Sequence, residues 1–248
     1  MYNQFDSMSK RIQHLIEQEY ELRLLNTKAQ MKSLQYQISP HFLYNTYFTL
    51  CGLLQEEDYD GAEQMSGIIG KYLKYITVST DETATLEAEL EHALAYAQIQ
   101  QIRFSRRVTV LFADCPPQLS RISVPRLIVQ PLIENAFEHG VRDMLEGGVI
   151  QVAVSGSTEE LCICVEDNGT NMPEEKVQEL QELLQHKETM SGDSVALINI
   201  HRRLKMQYGE GSGLFVSRSE LGGLRCEVKI FTEKVEKFIP EMKQKGEQ

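Results

Sequence analysis

A histidine that directly follows a proline inside a long helical pattern is the first candidate for chemistry. Pro40-His41 lies within Gln37-Ile38-Ser39-Pro40-His41-Phe42-Leu43-Tyr44-Asn45. A proline in a helix interior removes a backbone donor and clashes with the carbonyl of residue i−4, here Tyr36, at a cost of about 3 kcal/mol. Two readings fit this stretch equally: a kink that displays His41, or a core histidine beside an accidental kink. Asn45, one turn on, can hydrogen-bond a ring nitrogen but is no base. A second group is Glu134, Asn135, Glu138 and His139, which are spaced one helical turn apart in pairs. Amide and carboxylate oxygens of this kind suit Mg²⁺, and Glu134 is a candidate base for the imidazole; a solvated polar face is the bland alternative. The third group is Asp167-Asn168-Gly169. An Asp at a strand end can accept from an exocyclic amine, and a Gly lets backbone approach a ring, although Asn-Gly is also a common turn signal. Ser191-Gly192-Asp193-Ser194 precedes a helix, where it either presents backbone N–H groups to phosphate or caps the helix.

The elements that must position these groups follow from periodicity. The chain has 248 residues and a formal net charge of −11, which argues against a nucleic-acid partner. Its five cysteines show no metal spacing, and an odd count fits a reducing cytoplasm. No apolar run long enough to span a membrane is present, and no signal peptide is visible. Residues 1 to about 54 read as one helix, with a seam at Phe5, Met8, Ile12 and Leu15 that reappears at Met31, Leu34, Ile38, His41, Asn45 and Phe48. Such a stripe needs a partner, most simply a second copy. Helical runs at Ala62–Ile76 and from Thr85, the expected cap, to Phe104 follow after short connections, so a dimer of hairpins makes a four-helix bundle.

Beyond residue 104 the pattern changes. Alternation marks strands at Arg107–Phe112, Val149–Ser155, Leu161–Glu166, Leu214–Ser219 and Leu224–Phe231, the last two joined at Gly222-Gly223. Helices are expected from Pro125 to about Met144, from Pro173 to Gln185 and from Val195 to Tyr208. This mixture predicts an α/β two-layer sandwich. The acidic segment from about Met172 to Asp193 reads as either a lid or a surface helix.

The order of these motifs resembles a known family. Leu34–Asn45 is similar to the phospho-acceptor helix of sensor histidine kinases of the LytS/YesM type. Gln130-Pro131-Leu132-Ile133-Glu134-Asn135-Ala136-Phe137-Glu138-His139-Gly140 resembles that family's N box, and Leu86–Leu90 with Ile99–Phe104 its second-helix signature. Asp167-Asn168-Gly169 resembles the first glycine box, and Leu197–Ile200 with Arg203-Leu204 and Tyr208-Gly209 the segment after the second. Tyr2–Met8 looks like the end of a HAMP module. The resemblance implies a signalling helix at 1–30, a dimerisation and phospho-acceptor domain at 31–104, an ATP-binding domain of the histidine-kinase/Hsp90-like type at 105–233, and a charged tail at 234–248.

It also implies roles. His41 would be phosphorylated from ATP, and Asn135 would coordinate Mg²⁺. Glu138 and His139 would lie near the phosphates. Asp167 would bind the adenine amine beside Gly169, with Asn171, Leu197 and Asn199 close to the nucleotide. The phosphoryl group would pass to an aspartate of a response regulator receiver domain. The chain would be a homodimer and the cytoplasmic portion of a bacterial cell-membrane protein, attached only through upstream segments. Three positions depart from the family pattern. Asn171 stands where a second glycine is usual, Ser194-Val195-Ala196-Leu197 replaces Gly-x-Gly-Leu, and Gly223-Leu224 replaces Gly-Thr. These departures set up a rival reading, a dimeric signalling scaffold with weak or no ATP binding.

Overall fold

The computed structural model describes residues 40–78, 81–105, 107–157, 159–169, 172–185 and 195–231. The expected seam over residues 1–39, the signalling helix of 1–30, Asn171, the Ser191–Ser194 loop and the charged tail lie outside these residues. The chain divides into two compact units, Met1–Cys51 and Gly52–Gln248.

Helix α1 (Pro40–Gln55) carries the first unit's described residues. Thr46 Oγ1 donates to the carbonyl of Phe42 at 2.7 Å and Thr49 Oγ1 to that of Asn45 at 2.8 Å. These bonds satisfy hydroxyls that would otherwise compete with the helix from outside.

The second unit begins with α2 (Tyr59–Val78), strand β1 (Thr83–Thr85) and α3 (Leu86–Arg103). Thr85 caps α3 as its sequence suggests, accepting from the N–H of Ala88 at 3.3 Å, with Glu87 and Glu89 in the first turn and Arg103 in the last. A five-stranded sheet follows in the order β2-β4-β5-β7-β6, from Val108–Phe112, Gly148–Gly156, Glu160–Asp167, Leu224–Phe231 and Gly213–Arg218. β2 and β4 are parallel, Val110 opposite Ile150; the remaining pairs are antiparallel.

Alternation decides the layers. Ile150, Val152, Leu161, Ile163, Val165, Val228, Ile230 and Leu214 are buried on one face, with Asp167 at its end. The other face bears the Glu166–Arg225–Glu227 charges. Helices α5 (Glu174–Gln185) and α6 (Val195–Tyr208) contribute Val177, Leu184, Leu197, Ile198 and Leu204 to the core. The result is the expected two-layer sandwich.

The expected helix start at Pro125 is corrected by the structure. Ser123–Pro125 is strand β3, antiparallel to β1, and the helix α4 (Gln130–Asn135) starts later. The cause is Glu89, a fully buried carboxyl that accepts from the backbone N–H groups of Leu127 at 2.9 Å, Ile128 at 2.8 Å and Val129 at 3.0 Å. The three successive N–H groups converge on this one carboxyl from a nest-like bend. Leu127 accordingly sits at φ 57°, a left-handed conformation that costs a side-chain-bearing residue about 1–2 kcal/mol. After Asn135 the chain widens into a π-helix, Ala136–Val141, so the expected α-helix to Met144 is also shortened.

Glu89→Ala leaves three amides of the nest without their anion, and the Tyr75 hydroxyl with them. A loss of about 3 kcal/mol or more is expected, measured as a lower denaturant midpoint at unchanged slope.

Candidate functional site

His41 is exposed on α1, one turn before Asn45. The Asn45 amide nitrogen lies 3.0 Å from His41 Nε2. An amide N–H donates, so the ring nitrogen it meets accepts, and Nδ1 lies 3.4 Å from the same amide nitrogen. Asn45 is thus within hydrogen-bond reach of the imidazole one turn away. Further along the same helix Tyr44 and Phe48 are each 67% exposed, and Tyr47 is 61% exposed. Such an aromatic stripe beside a displayed histidine is unusual for a solvated helix.

In the second unit, α4 and the π-helix place Glu134, Asn135, Glu138 and His139 on one wall of a cleft of about 250 Å³, with Ala196 and Leu197 from α6 also lining it. The buried face of the same segment is Leu132, Ile133, Ala136 and Phe137, so the sequence pattern sets which residues face the cleft. Burial raises the Glu134 carboxyl above its ordinary range, and Glu138 adds to this, while Arg103 opposes it. Both oxygens of Glu138 are engaged by guanidinium groups, Arg142 at 2.7 Å and Arg103 at 3.5 Å. Arg103 thus ties the end of α3 to the cleft wall. Asn135 makes no side-chain hydrogen bond among the described residues, and no group of three or more His, Cys, Asp or Glu there is arranged to hold a metal.

Asp167 lies behind the π-helix and outside the lining of that cleft, 2% exposed. Three glycines wall it in. A Cβ on Gly140 would meet the Asp167 carboxyl at 2.6 Å, one on Gly169 would strike the Gly140 carbonyl, and one on Gly223 would overlap Asp167 itself. The carboxyl accepts from the Gly169 N–H at 2.9 Å and from the Leu224 backbone. Burial still raises its affinity for a proton, against the lowering effect of those two bonds. An acceptor framed by bare backbone fits a flat ring bearing an amine. The Gly223-Leu224 departure leaves the backbone donor in place, because the Leu224 side chain turns into the core.

The structure therefore brings together Glu134, Asn135, Glu138, His139 and Leu197, and sets Asp167 and Gly169 against the far end of the same helix at Gly140. Asn199 is exposed on α6 and does not line the cleft. Sequence reasoning assigned no role to Arg103, Glu89 or Ala196. Arg103 carries a local signal, a cation in the last turn of α3; the reach of Glu89 across 38 residues carries none.

A two-layer sandwich with a polar cleft on the helix and a glycine-walled Asp at a strand end is the arrangement of a nucleotide-binding domain. Residues 122–238 match the family described as Histidine kinase-, DNA gyrase B-, and HSP90-like ATPase, and residues 29–108 match Histidine kinase. The chain is 31% identical over 203 residues to the sensor histidine kinase YpdA of Escherichia coli (82% of this chain, 34% of that protein). It is 28% identical over 226 residues to the sensor histidine kinase YesM of Bacillus subtilis (91% and 37%). It is 31% identical over 224 residues to the sensor protein LytS of Enterococcus faecalis (89% and 37%). The chain belongs to the sensor histidine kinases of the LytS/YesM type. It spans about a third of the length of these curated relatives.

The raised carboxyls give a pH dependence. Glu134 and Asp167 bind a proton more tightly folded than unfolded, where their ordinary values are 4.5 and 3.8. Their contribution to stability is fully present below those values and is lost as pH rises through the folded ones. Unfolding midpoints measured from pH 4 upward should therefore fall less steeply in Glu134→Gln than in the wild type.

Proposed function

We propose that this chain is the autokinase portion of a two-component sensor. Mg²⁺-bound ATP occupies the Asn135 cleft, the His41 imidazole attacks its γ-phosphorus and the P–O bond to ADP breaks, and the phosphoryl group then passes to an aspartate of a response regulator receiver domain as the N–P bond breaks and frees His41. The observation that carries the reading is His41 itself: exposed, preceded by Pro40, oriented by Asn45, and within the segment that matches Histidine kinase.

The residues divide the work. His41 Nε2 is the nucleophile, a neutral imidazole being competent near pH 7. Asn45 fixes the ring and must release Nε2 before attack, since one lone pair cannot serve both. The Asn135 amide oxygen would hold the Mg²⁺, which supplies charge neutralisation on the phosphates. Glu134, whose affinity for a proton is raised by burial, takes the imidazole proton as general base. For the Asp167 carboxyl to accept from the adenine amine, the base must extend beyond the cleft lining, past Gly140, and exposed His139 lines the cleft. The exposed Tyr44, Tyr47 and Phe48 support a homodimer through α1. The portion of the longer protein outside this chain would attach it to the membrane.

The scaffold reading has one observation in its favour. Ala196, where the family pattern has glycine, places a methyl at the cleft lining. Incubation with γ-labelled ATP and Mg²⁺ decides. Acid-labile, base-stable label that His41→Ala abolishes is expected; label retained by that variant rejects His41, and no label on folded wild type favours the scaffold. Glu134→Gln should slow labelling roughly 10²-fold or more with nucleotide affinity retained; loss of nucleotide binding as well removes the base role.

A further inference from the structure

Helix α2 is stitched to the start of the Asn135 helix by polar contacts that converge on residues 126–130. The Tyr75 hydroxyl donates to Glu89 at 2.5 Å, and Glu89 in turn holds the amides of Leu127, Ile128 and Val129. Arg126 donates to the Tyr75 carbonyl and lies 4.2 Å from the centre of its ring. Gln130 donates to the Tyr72 hydroxyl at 3.3 Å while its carbonyl oxygen accepts from His92 Nε2 at 2.7 Å. The His92 ring is stacked with both Tyr72 and Tyr75, at 4.8 and 4.3 Å between centroids. Tyr75–Glu89 and the His92 stacking join α2 to α3, and the remaining contacts join these two helices to consecutive residues of the bend.

We propose that Tyr75 is a positioning residue for phosphoryl transfer: through Glu89 it couples α2 to the bend at 126–130 and so sets the helix that carries Glu134 and Asn135. Glu89 alone would keep the bend formed, because its three backbone bonds need nothing from α2. Tyr75 adds the fourth bond, and it is the one that reports where α2 lies. A displacement of α2 therefore acts on Glu89 through the Tyr75 hydroxyl, beside the direct contacts of Arg126 and Gln130 with α2. Its donor group stays available at any physiological pH, since burial first, and then the neighbouring Glu89, push the phenol well above its ordinary range. The coupling presupposes the kinase activity proposed above; the contact with the bend does not.

Tyr75→Phe in the full chain deletes only the hydroxyl. Amide hydrogen exchange of residues 127–130 should quicken about tenfold, the equilibrium equivalent of one hydrogen bond to a charged group. The maximal rate of His41 labelling should fall by a similar factor while the KM for ATP changes less than twofold. Tyr59→Phe, on the exposed first turn of the same helix, should alter neither. Unchanged exchange at 127–130 overturns the proposal, and so does faster exchange with an unchanged maximal rate. If the wild type takes no label, the kinase reading fails, and exchange in the two variants alone decides whether Tyr75 sets the bend.

Discussion

One buried carboxyl organises the nucleotide side of this chain. Glu89 accepts from three consecutive backbone amides and one phenol, and so satisfies every oxygen lone pair that burial would otherwise leave costly. The bend it imposes forces Leu127 into a left-handed conformation and delays the helix start to Gln130. From there the helical repeat fixes which residues reach the cleft: one turn on are Glu134 and Asn135, and a further turn on Glu138 and His139. α3 holds this helix along its length, with Glu89 at its start, His92 on Gln130, and Arg103 on Glu138. A helix pinned at three points can present Asn135 with the precision that positioning chemistry needs.

The opposite end of the helix is governed by absence of side chains rather than by charge. Gly140, Gly169 and Gly223 each stand where a Cβ would collide with Asp167 or its surroundings. Only bare backbone lets the π-helix, the end of β5 and the β6–β7 hairpin close on one carboxyl. The departures from the family pattern fall outside this trio. Leu224 is accommodated in the core and keeps its N–H on Asp167, whereas Ala196 sits on the cleft itself. Of the departures among the described residues, Ala196 is the one that reaches the cleft lining.

Much of this was legible from residue pattern. Period-two alternation located β2, β4, β5, β6 and β7, and the cap at Thr85 was where a Thr followed by acidic residues belongs. The four polar residues of the cleft were separable from the buried face of their helix by spacing alone. What escaped were contacts made at a distance. The run from Pro125 reads as a helix until Glu89 is known to seize its amides, and no local propensity reports a carboxyl 38 residues away. The three-residue strands β1 and β3 are too short to show a period, and the π-helix differs from an α-helix by one hydrogen-bond step that its sequence, Ala136–Val141, does not spell out. The isolation of Asp167 from the cleft lining was equally invisible, since it depends on where Gly140 packs.

Autophosphorylation of His41 depends on the Asn135 cleft being a nucleotide site. Its most direct test is calorimetric titration of Mg²⁺-ATP into the full wild-type chain and into Asn135→Ala. Saturable binding by the wild type is expected, weakened at least tenfold in the variant, the scale of losing one ligand to a charged group. Equal binding by both, or none by a folded wild type, would contradict it.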